Sequence, residues 1–424
     1  MVPVSGSRLP GIAIPGASAS TVLNPARTSL CGREPGTTAI QGSRTDPALP
    51  LALYIHIPWC AKKCPYCDFN SHAVKAPIPE ADYVAALLRD LDHELADAPE
   101  SRPLTSIFFG GGTPSLFSGA AIGAILEGTA RRLAFAPGIE ITLEANPGTA
   151  EAERFRDYRA AGVNRLSMGV QSLDDAQLKR LGRIHGADEA RAAVAMARAA
   201  GIDNLNLDLM FALPTQTVAE AAADLRQLIA LAPEHISYYH LTLEPNTAFA
   251  AAPPPLPDSD SAYEMLEAGQ QQLAAHGYAQ YETSAYARPG RQALHNLNYW
   301  RFGDYLGIGA GAHGKRTLAG RIERRARHKH PKTYLETAGS AASLQEVRTV
   351  AGDELAFEYC LNALRLHEGF AVADFEARTG LAFAVLEPRL ARQRQRGLIT
   401  MDSTGVRPTP LGRDHLNTLL TELL

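Results

Sequence analysis

From Leu51 onward, short apolar runs alternate with longer segments whose apolar positions recur every three or four residues, the rhythm of strands separated by amphipathic helices. Strands are expected at Leu51–Ile57 and at 106–109, 139–144, 165–170, 205–210 and 236–241. Helices are expected at 81–96, 120–133, 150–161, 188–200 and Val218–Ala230. Six such units in series imply parallel strands with right-handed crossovers, hence an α/β fold built on a partial TIM-type (β/α)6 barrel. A proline-rich break at 252–257 follows, then a helix at 261–276 and a strand near 278–283. From about Val347 the pattern turns helical, and the tail sets short strands near 397–400 and 405–408 before a helix from Pro410. That order predicts a small α+β, winged-helix-like C-terminal domain. The expected divisions are 1–48, 49–250 (barrel core), 251–345 (barrel extension) and 346–424 (C-terminal domain).

Residues 1–48 are dominated by Gly, Ser, Pro and Thr without periodicity, and read either as a disordered leader or as the product of a start codon assigned too far upstream. No run of about 18 apolar residues is present, and the N-terminus lacks the apolar core of a signal peptide. The 41 basic and 45 acidic residues give a net charge of -4, which offers no global attraction to nucleic acid. Peripheral contact with a membrane stays open. Of five cysteines, three fall within eight residues while Cys31 and Cys360 stand apart, which fits a reducing cytoplasmic setting better than a disulfide framework.

Those three, Cys60, Cys64 and Cys67, occupy one loop directly after the first strand, at the barrel mouth where active sites collect. Three close thiolates suit three irons of a [4Fe-4S] cluster whose fourth iron takes an outside ligand. A structural zinc site commonly uses four ligands in two knuckles and fits less well, and ordinary packed cysteines would not cluster in this way. The second strand ends in Gly110-Gly111-Gly112-Thr113-Pro114, where glycines let backbone amides approach a ligand, or simply make a tight turn. Glu144, Gln171 and Asp208 recur at predicted strand ends, where each meets either a ligand or a neighbouring loop. Arg183 is either a charge-assisted donor to a carboxylate or a solvated helix arginine.

The spacing Cys60-x3-Cys64-x2-Cys67 resembles the radical-SAM superfamily, in which the cluster chelates and reductively cleaves S-adenosylmethionine. Together with Pro65-Tyr66-Cys67-Asp68-Phe69-Asn70 and Gly111-Gly112-Thr113-Pro114-Ser115, it is similar to the family of oxygen-independent coproporphyrinogen III oxidases, over residues 50 to 420, and most of all to that family's heme chaperone branch. The true oxidases place a further cysteine two residues after the third; here that residue is Phe69. The resemblance implies cofactor roles for Tyr54, Tyr66, Gly111, Gly112, Thr113, Glu144, Gln171, Arg183 and Asp208, and on shorter matches for Tyr239 and His313. The segment His295-Asn-Leu-Asn-Tyr-Trp300 resembles an HNxxYW signature tied to heme handling, with His295 as an axial ligand or as a hydrogen-bonded structural residue, and Tyr299 and Trp300 as stacking partners. Two functions follow from the resemblance. One is heme binding and transfer to a recipient hemoprotein, in the respiratory chain for example. The other is radical oxidative decarboxylation of coproporphyrinogen III. Phe69 and the HNxxYW segment favour the first.

Overall fold

The computed structural model describes residues 49–148, 154–318 and 320–423. The expected leader, Cys31 and the first residues of the 150–161 helix lie outside them. The chain runs through β1 (Leu51–Ile57), β2 (Trp59–Cys60), β3 (His72–Ala73), β4 (Leu104–Gly111), β5 (Phe135–Ala145), β6 (Arg165–Gln171), β7 (Leu205–Phe211) and β8 (His235–His240). It continues through β9 (Ala279–Gln280), β10 (Ala285–Ala287), β11 (Asp304–Ile308), β12 (His313–Leu318), β13 (Arg321–Arg327) and β14 (Leu344–Val350).

Twelve of these strands form one sheet, ordered β14-β13-β12-β11-β1-β4-β5-β6-β7-β8-β10-β9. β1, β4, β5, β6, β7 and β8 pair in parallel in chain order, which is the six-stranded partial barrel the pattern predicts. Every residue of β1 is buried, as expected for a parallel strand covered on both faces. The crossover helices carry their own start signals. Thr217 and Glu220 form a capping box ahead of Val218–Ala230, and Ser118 caps Gly119–Ala130 by accepting from the Ala121 amide at 3.2 Å.

The sequence pattern missed β11 to β14. β11 pairs in parallel with β1, so β1 is a central strand, and β12 to β14 extend the sheet antiparallel. β12 and β13 are rich in basic residues, and most of these charges are buried in ion pairs. Arg327 Nε lies 2.9 Å from Asp90 Oδ1 and the same guanidinium pairs with Glu94, while Arg316 Nη1 reaches Glu94 Oε2 at 3.3 Å. Lys315 Nζ sits 3.0 Å from Asp304 Oδ1, and Arg324 pairs with Glu358. The expected helical turn at Val347 is corrected as well: Val347 lies in β14 and the helix begins at Gly352. The 345/346 division therefore falls inside a strand.

Beyond Gly352, helices Gly352–Ala363, Val372–Thr379 and Glu387–Gln395 pack on a three-stranded sheet of β15 (Phe370–Ala371), β16 (Ile399–Met401) and β17 (Gly405–Pro408), ordered β15-β17-β16. This α+β unit has its own core around Tyr359, Phe375, Leu390 and Val406, distinct from the barrel core. Arg365 joins the two, 3.3 Å from Glu282 and with its guanidinium 4.3 Å from the centre of the Trp300 ring.

Candidate functional site

The loop after β1 is tied at its base, where β2 and β3 pair in parallel and close residues 61–71 into a lobe. The Gly-Gly-Gly turn is sewn to it by the amides of Gly112 and Thr113, which donate to the carbonyls of Ile57 (2.8 Å) and Trp59 (2.7 Å). Only glycine fits here. Gly111 has φ +115°, and a Cβ on Gly112 would stand 2.5 Å from the Trp59 carbonyl oxygen. Below the lobe, the Tyr54 hydroxyl lies 3.0 Å from His56 Nδ1, and His56 Nε2 lies 2.9 Å from the Asn70 carbonyl. Burial pushes the His56 imidazole down to about 4, so it is neutral, with the Tyr54 hydroxyl donating and Nε2–H donating onward. Asn70 Nδ2 in turn donates to the carbonyls of Ala310 and Lys329, both at 2.9 Å.

One cleft at the barrel mouth gathers Cys60, Cys64, Cys67, Tyr66, Gly111, Gly112, Thr113, Glu144, Gln171, Arg183, Asp208 and Tyr239. The three thiols are free, and burial pushes those of Cys60 and Cys67 up, Cys67 to about 11. Binding a metal there must therefore expel protons. Among the described residues no three histidine, cysteine or carboxylate side chains converge on one metal ion. Thiolates that serve separate irons of a cube need not converge as the ligands of one zinc must.

Across the cleft, Arg183 Nη1 approaches Cys64 Sγ at 3.5 Å, and its Nη2 donates at 2.8 Å to both Asn146 Oδ1 and the Gly169 carbonyl. Its Nε is buried without a hydrogen-bond partner among the described residues. Glu144 accepts from the Gly111 amide at 3.1 Å, and burial, with Asp208 nearby, pushes its carboxyl up to about 8. Gln171 has φ +68°, a strained backbone at a strand end, and its Oε1 accepts from the Tyr239 hydroxyl at 2.7 Å. Unpaired thiols, an incompletely satisfied guanidinium and a buried carboxyl with spare acceptor capacity fit an iron–sulfur cluster beside an amino-acid zwitterion.

Three of the expected site residues stand outside the cleft lining. Tyr54 is buried behind the lobe, with its hydroxyl on His56. His313 opens β12, and its carbonyl is packed so closely on Gly307 that a Cβ there would lie 1.9 Å away; it does not reach the cleft. His295 is fully buried, with Nδ1 2.9 Å from Ser106 Oγ and Nε2 2.8 Å from the Tyr299 hydroxyl, so both ring nitrogens are engaged and neither faces an open space. Tyr299 and Trp300 are core residues too, with only 3% and 1% of their surface exposed, which leaves no face for a porphyrin. Within the segment, Asn296, which sequence reasoning passed over, does line the cleft, and its Oδ1 is buried without a hydrogen-bond partner among the described residues. Asn146 and Ser237 were missed in the same way. Their only sequence signal is a position beside, or at period-two spacing from, an expected site residue.

The Radical SAM superfamily profile matches residues 54–228, and the HemN C-terminal domain profile matches 350–415. The heme chaperone HemW of Escherichia coli (strain K12) is 52% identical over 372 residues, 88% of this chain and 97% of that protein. The chain belongs to the HemW family of radical-SAM proteins. The family's protein from Haemophilus influenzae is also 52% identical, over 88% of this chain and 97% of its own. The solved structure of coproporphyrinogen III oxidase (HemN) from Escherichia coli superposes with a TM-score of 0.75 at 24% identity, over 89% of this chain and 90% of that one, and shares the fold. Family membership brings a [4Fe-4S] cluster and S-adenosylmethionine as cofactors. Among the described residues, no helix is long and apolar enough to cross a membrane.

Proposed function

We propose that this chain is a heme chaperone, which binds heme and passes it to a recipient hemoprotein. The observation that carries the reading is 52% identity across nearly the whole length of proteins named heme chaperone HemW. Cys60, Cys64 and Cys67 hold the [4Fe-4S] cluster. Gly111, Gly112, Thr113, Glu144, Gln171, Arg183 and Asp208 hold S-adenosylmethionine, with Tyr66 and Tyr239 packed at its sides. Once bound, the cluster would supply an electron for reductive cleavage of the sulfonium of S-adenosylmethionine. The protein's own part is to place donors, keep the thiols together and exclude water. A raised Glu144 carboxyl is suited to releasing its proton when an ammonium group arrives.

Phe69 supports chaperoning over porphyrinogen oxidation, because it stands 40% exposed at the cleft where the resemblance places a fourth cysteine in the oxidases. The recipient belongs to this proposal, as do its place in a respiratory chain, any peripheral membrane contact and a cytoplasmic setting. So does the division into a barrel core, an extension and a C-terminal domain.

The test is anaerobic purification and cluster reconstitution, followed by parallel assays of heme transfer to an apo-hemoprotein and of coproporphyrinogen III turnover. A stoichiometric Soret band, transfer and no turnover are expected. Turnover of coproporphyrinogen carboxylates without stable heme binding would overturn the reading.

A further inference from the structure

The cofactor cleft leaves little room for a heme, since its cavity is about 160 Å³ and the HNxxYW histidine is sealed in the core. A second concavity lies on the far side of β8, between the barrel and the C-terminal unit. Its cavity volume is about 560 Å³ and it is open to solvent. Its barrel wall is made by the end of β8 and the helix Ser259–Ala275, and its other wall by the turn after helix Gly352–Ala363 and the short helices beyond Pro410. Clefts between packed units are common ligand sites.

The chemistry of the two walls is unequal and complementary. The barrel contributes His240, exposed and packed edge-on to Phe211 at 5.5 Å, and Tyr263, 48% exposed. The C-terminal unit contributes His367, half-buried, whose amide donates to the Tyr281 carbonyl at 3.0 Å and so fixes its turn against the barrel extension. Leu364 and Leu416 give apolar floor from the C-terminal core, and Arg413 stands beside them in no ion pair among the described residues. Neither imidazole has a side-chain hydrogen bond among the described residues, in contrast to His295. Imidazoles from both walls, an apolar floor and an uncommitted guanidinium match a planar amphipathic metallomacrocycle that carries carboxylates at its rim.

We propose that heme is carried in this inter-unit groove, with His367 as the principal axial ligand, His240 facing it from the opposite wall and Arg413 pairing with a propionate. The proposal rests on the heme-chaperone reading. Tyr239 lines both concavities and bonds to Gln171 in the cofactor cleft, so the two sites share a wall without sharing a volume. Heme and S-adenosylmethionine are therefore expected to bind together.

The test is titration of the full, cluster-reconstituted chain with ferric heme, followed by absorbance, with circular dichroism and cluster absorbance as controls for folding. His367→Ala should shift the Soret band and weaken affinity by about tenfold or more, with the His240→Ala/His367→Ala double variant lower still. Added imidazole should restore the band position of His367→Ala. Arg413→Glu should weaken binding without moving the band, and saturating S-adenosylmethionine should not displace heme. A Soret band unmoved in the double variant, or moved by His295→Gln instead, overturns the groove while leaving the chaperone reading intact. A wild-type chain that takes up no heme overturns both.

Discussion

β1 has buried charge on both of its flanks, and the two sides handle it in opposite ways. Toward β11 to β13, each buried cation meets carboxylates of its own protein: Arg327 with Asp90 and Glu94, Arg325 with Glu323 and Asp97, Lys315 with Asp304. Toward β4 to β8, several groups lining the cleft are left short. Among the described residues, Arg183 Nε and Asn296 Oδ1 lack hydrogen-bond partners, and Glu144 accepts from the Gly111 amide while burial holds its proton on. Unpaired buried polar groups are costly, so a fold keeps them where a ligand completes the set. Arg316 Nε and Glu358 Oε2 also lack hydrogen bonds, but both side chains are ion-paired, so the first flank is built as scaffold and the second is the candidate site.

The largest effect that tests this contrast is on the cluster. Replacing Cys60, Cys64 or Cys67 with Ala should abolish cluster reconstitution, read as lost iron and sulfide and lost visible absorbance, while the far-ultraviolet spectrum stays that of the wild type. Cys360→Ala should retain full iron content, because Cys360 is buried in the separate C-terminal core. Equal loss of iron from all four variants would mean that the loop cysteines have no special role.

On the paired flank, Arg327→Met removes the cation common to Asp90 and Glu94 and leaves both carboxylates buried. Breaking a buried pair from one side costs about 3–5 kcal/mol, measurable as a lowered denaturation midpoint. Iron uptake at low temperature should persist. A loss below about 1 kcal/mol would show that the flank tolerates unpaired charge and would erase the contrast.

What the sequence reveals follows the same division. The six barrel strands are legible because a strand buried on both faces is a short, mostly apolar run, as in Leu-Ala-Leu-Tyr-Ile-His-Ile of β1. The cysteine loop and the glycine turn are legible because their chemistry is local in sequence. β12 and β13 are not, because the partners of Arg316 and Arg327 lie in the helix Glu80–Asp97 and that of Arg324 in the helix Gly352–Ala363, far away along the chain. The HNxxYW segment is legible as a motif but not as a geometry. Successive residues of a helix point about 100° apart, so the roles of His295 and Asn296 depend on the rotation of Leu294–Trp300, which tertiary packing sets.

Glu144 tests the unpaired flank through pH. Its carboxyl is raised from 4.5 to about 8, so between those values the folded chain holds a proton that the unfolded chain has lost. The cofactor-free protein should therefore lose stability as pH rises from about 4.5 through 8, by a few kcal/mol from this group. Glu144→Gln should flatten that part of the profile and be relatively more stable at pH 8. If denaturation midpoints at pH 5 and pH 8 show the same difference for wild type and variant, Glu144 is not held protonated by its site.

Asn296 carries the smallest effect and the sharpest one. If its unpartnered Oδ1 awaits a donor from S-adenosylmethionine, Asn296→Ala should weaken cofactor binding by about 1–1.5 kcal/mol, the usual worth of one hydrogen bond. Calorimetry on the cluster-loaded protein would read this as roughly a tenfold rise in Kd. Folding should be nearly untouched, because the deleted atom has no protein partner to lose. Asn296→Asp keeps an acceptor in place and should retain most of the affinity. His295→Ala, one residue away, should do the reverse, since it orphans Ser106 and Tyr299 in the core and is read mainly in stability. Should Asn296→Ala lower the denaturation midpoint and leave Kd unchanged, Asn296 belongs with the scaffold, and the boundary between the two flanks runs on the other side of that helix.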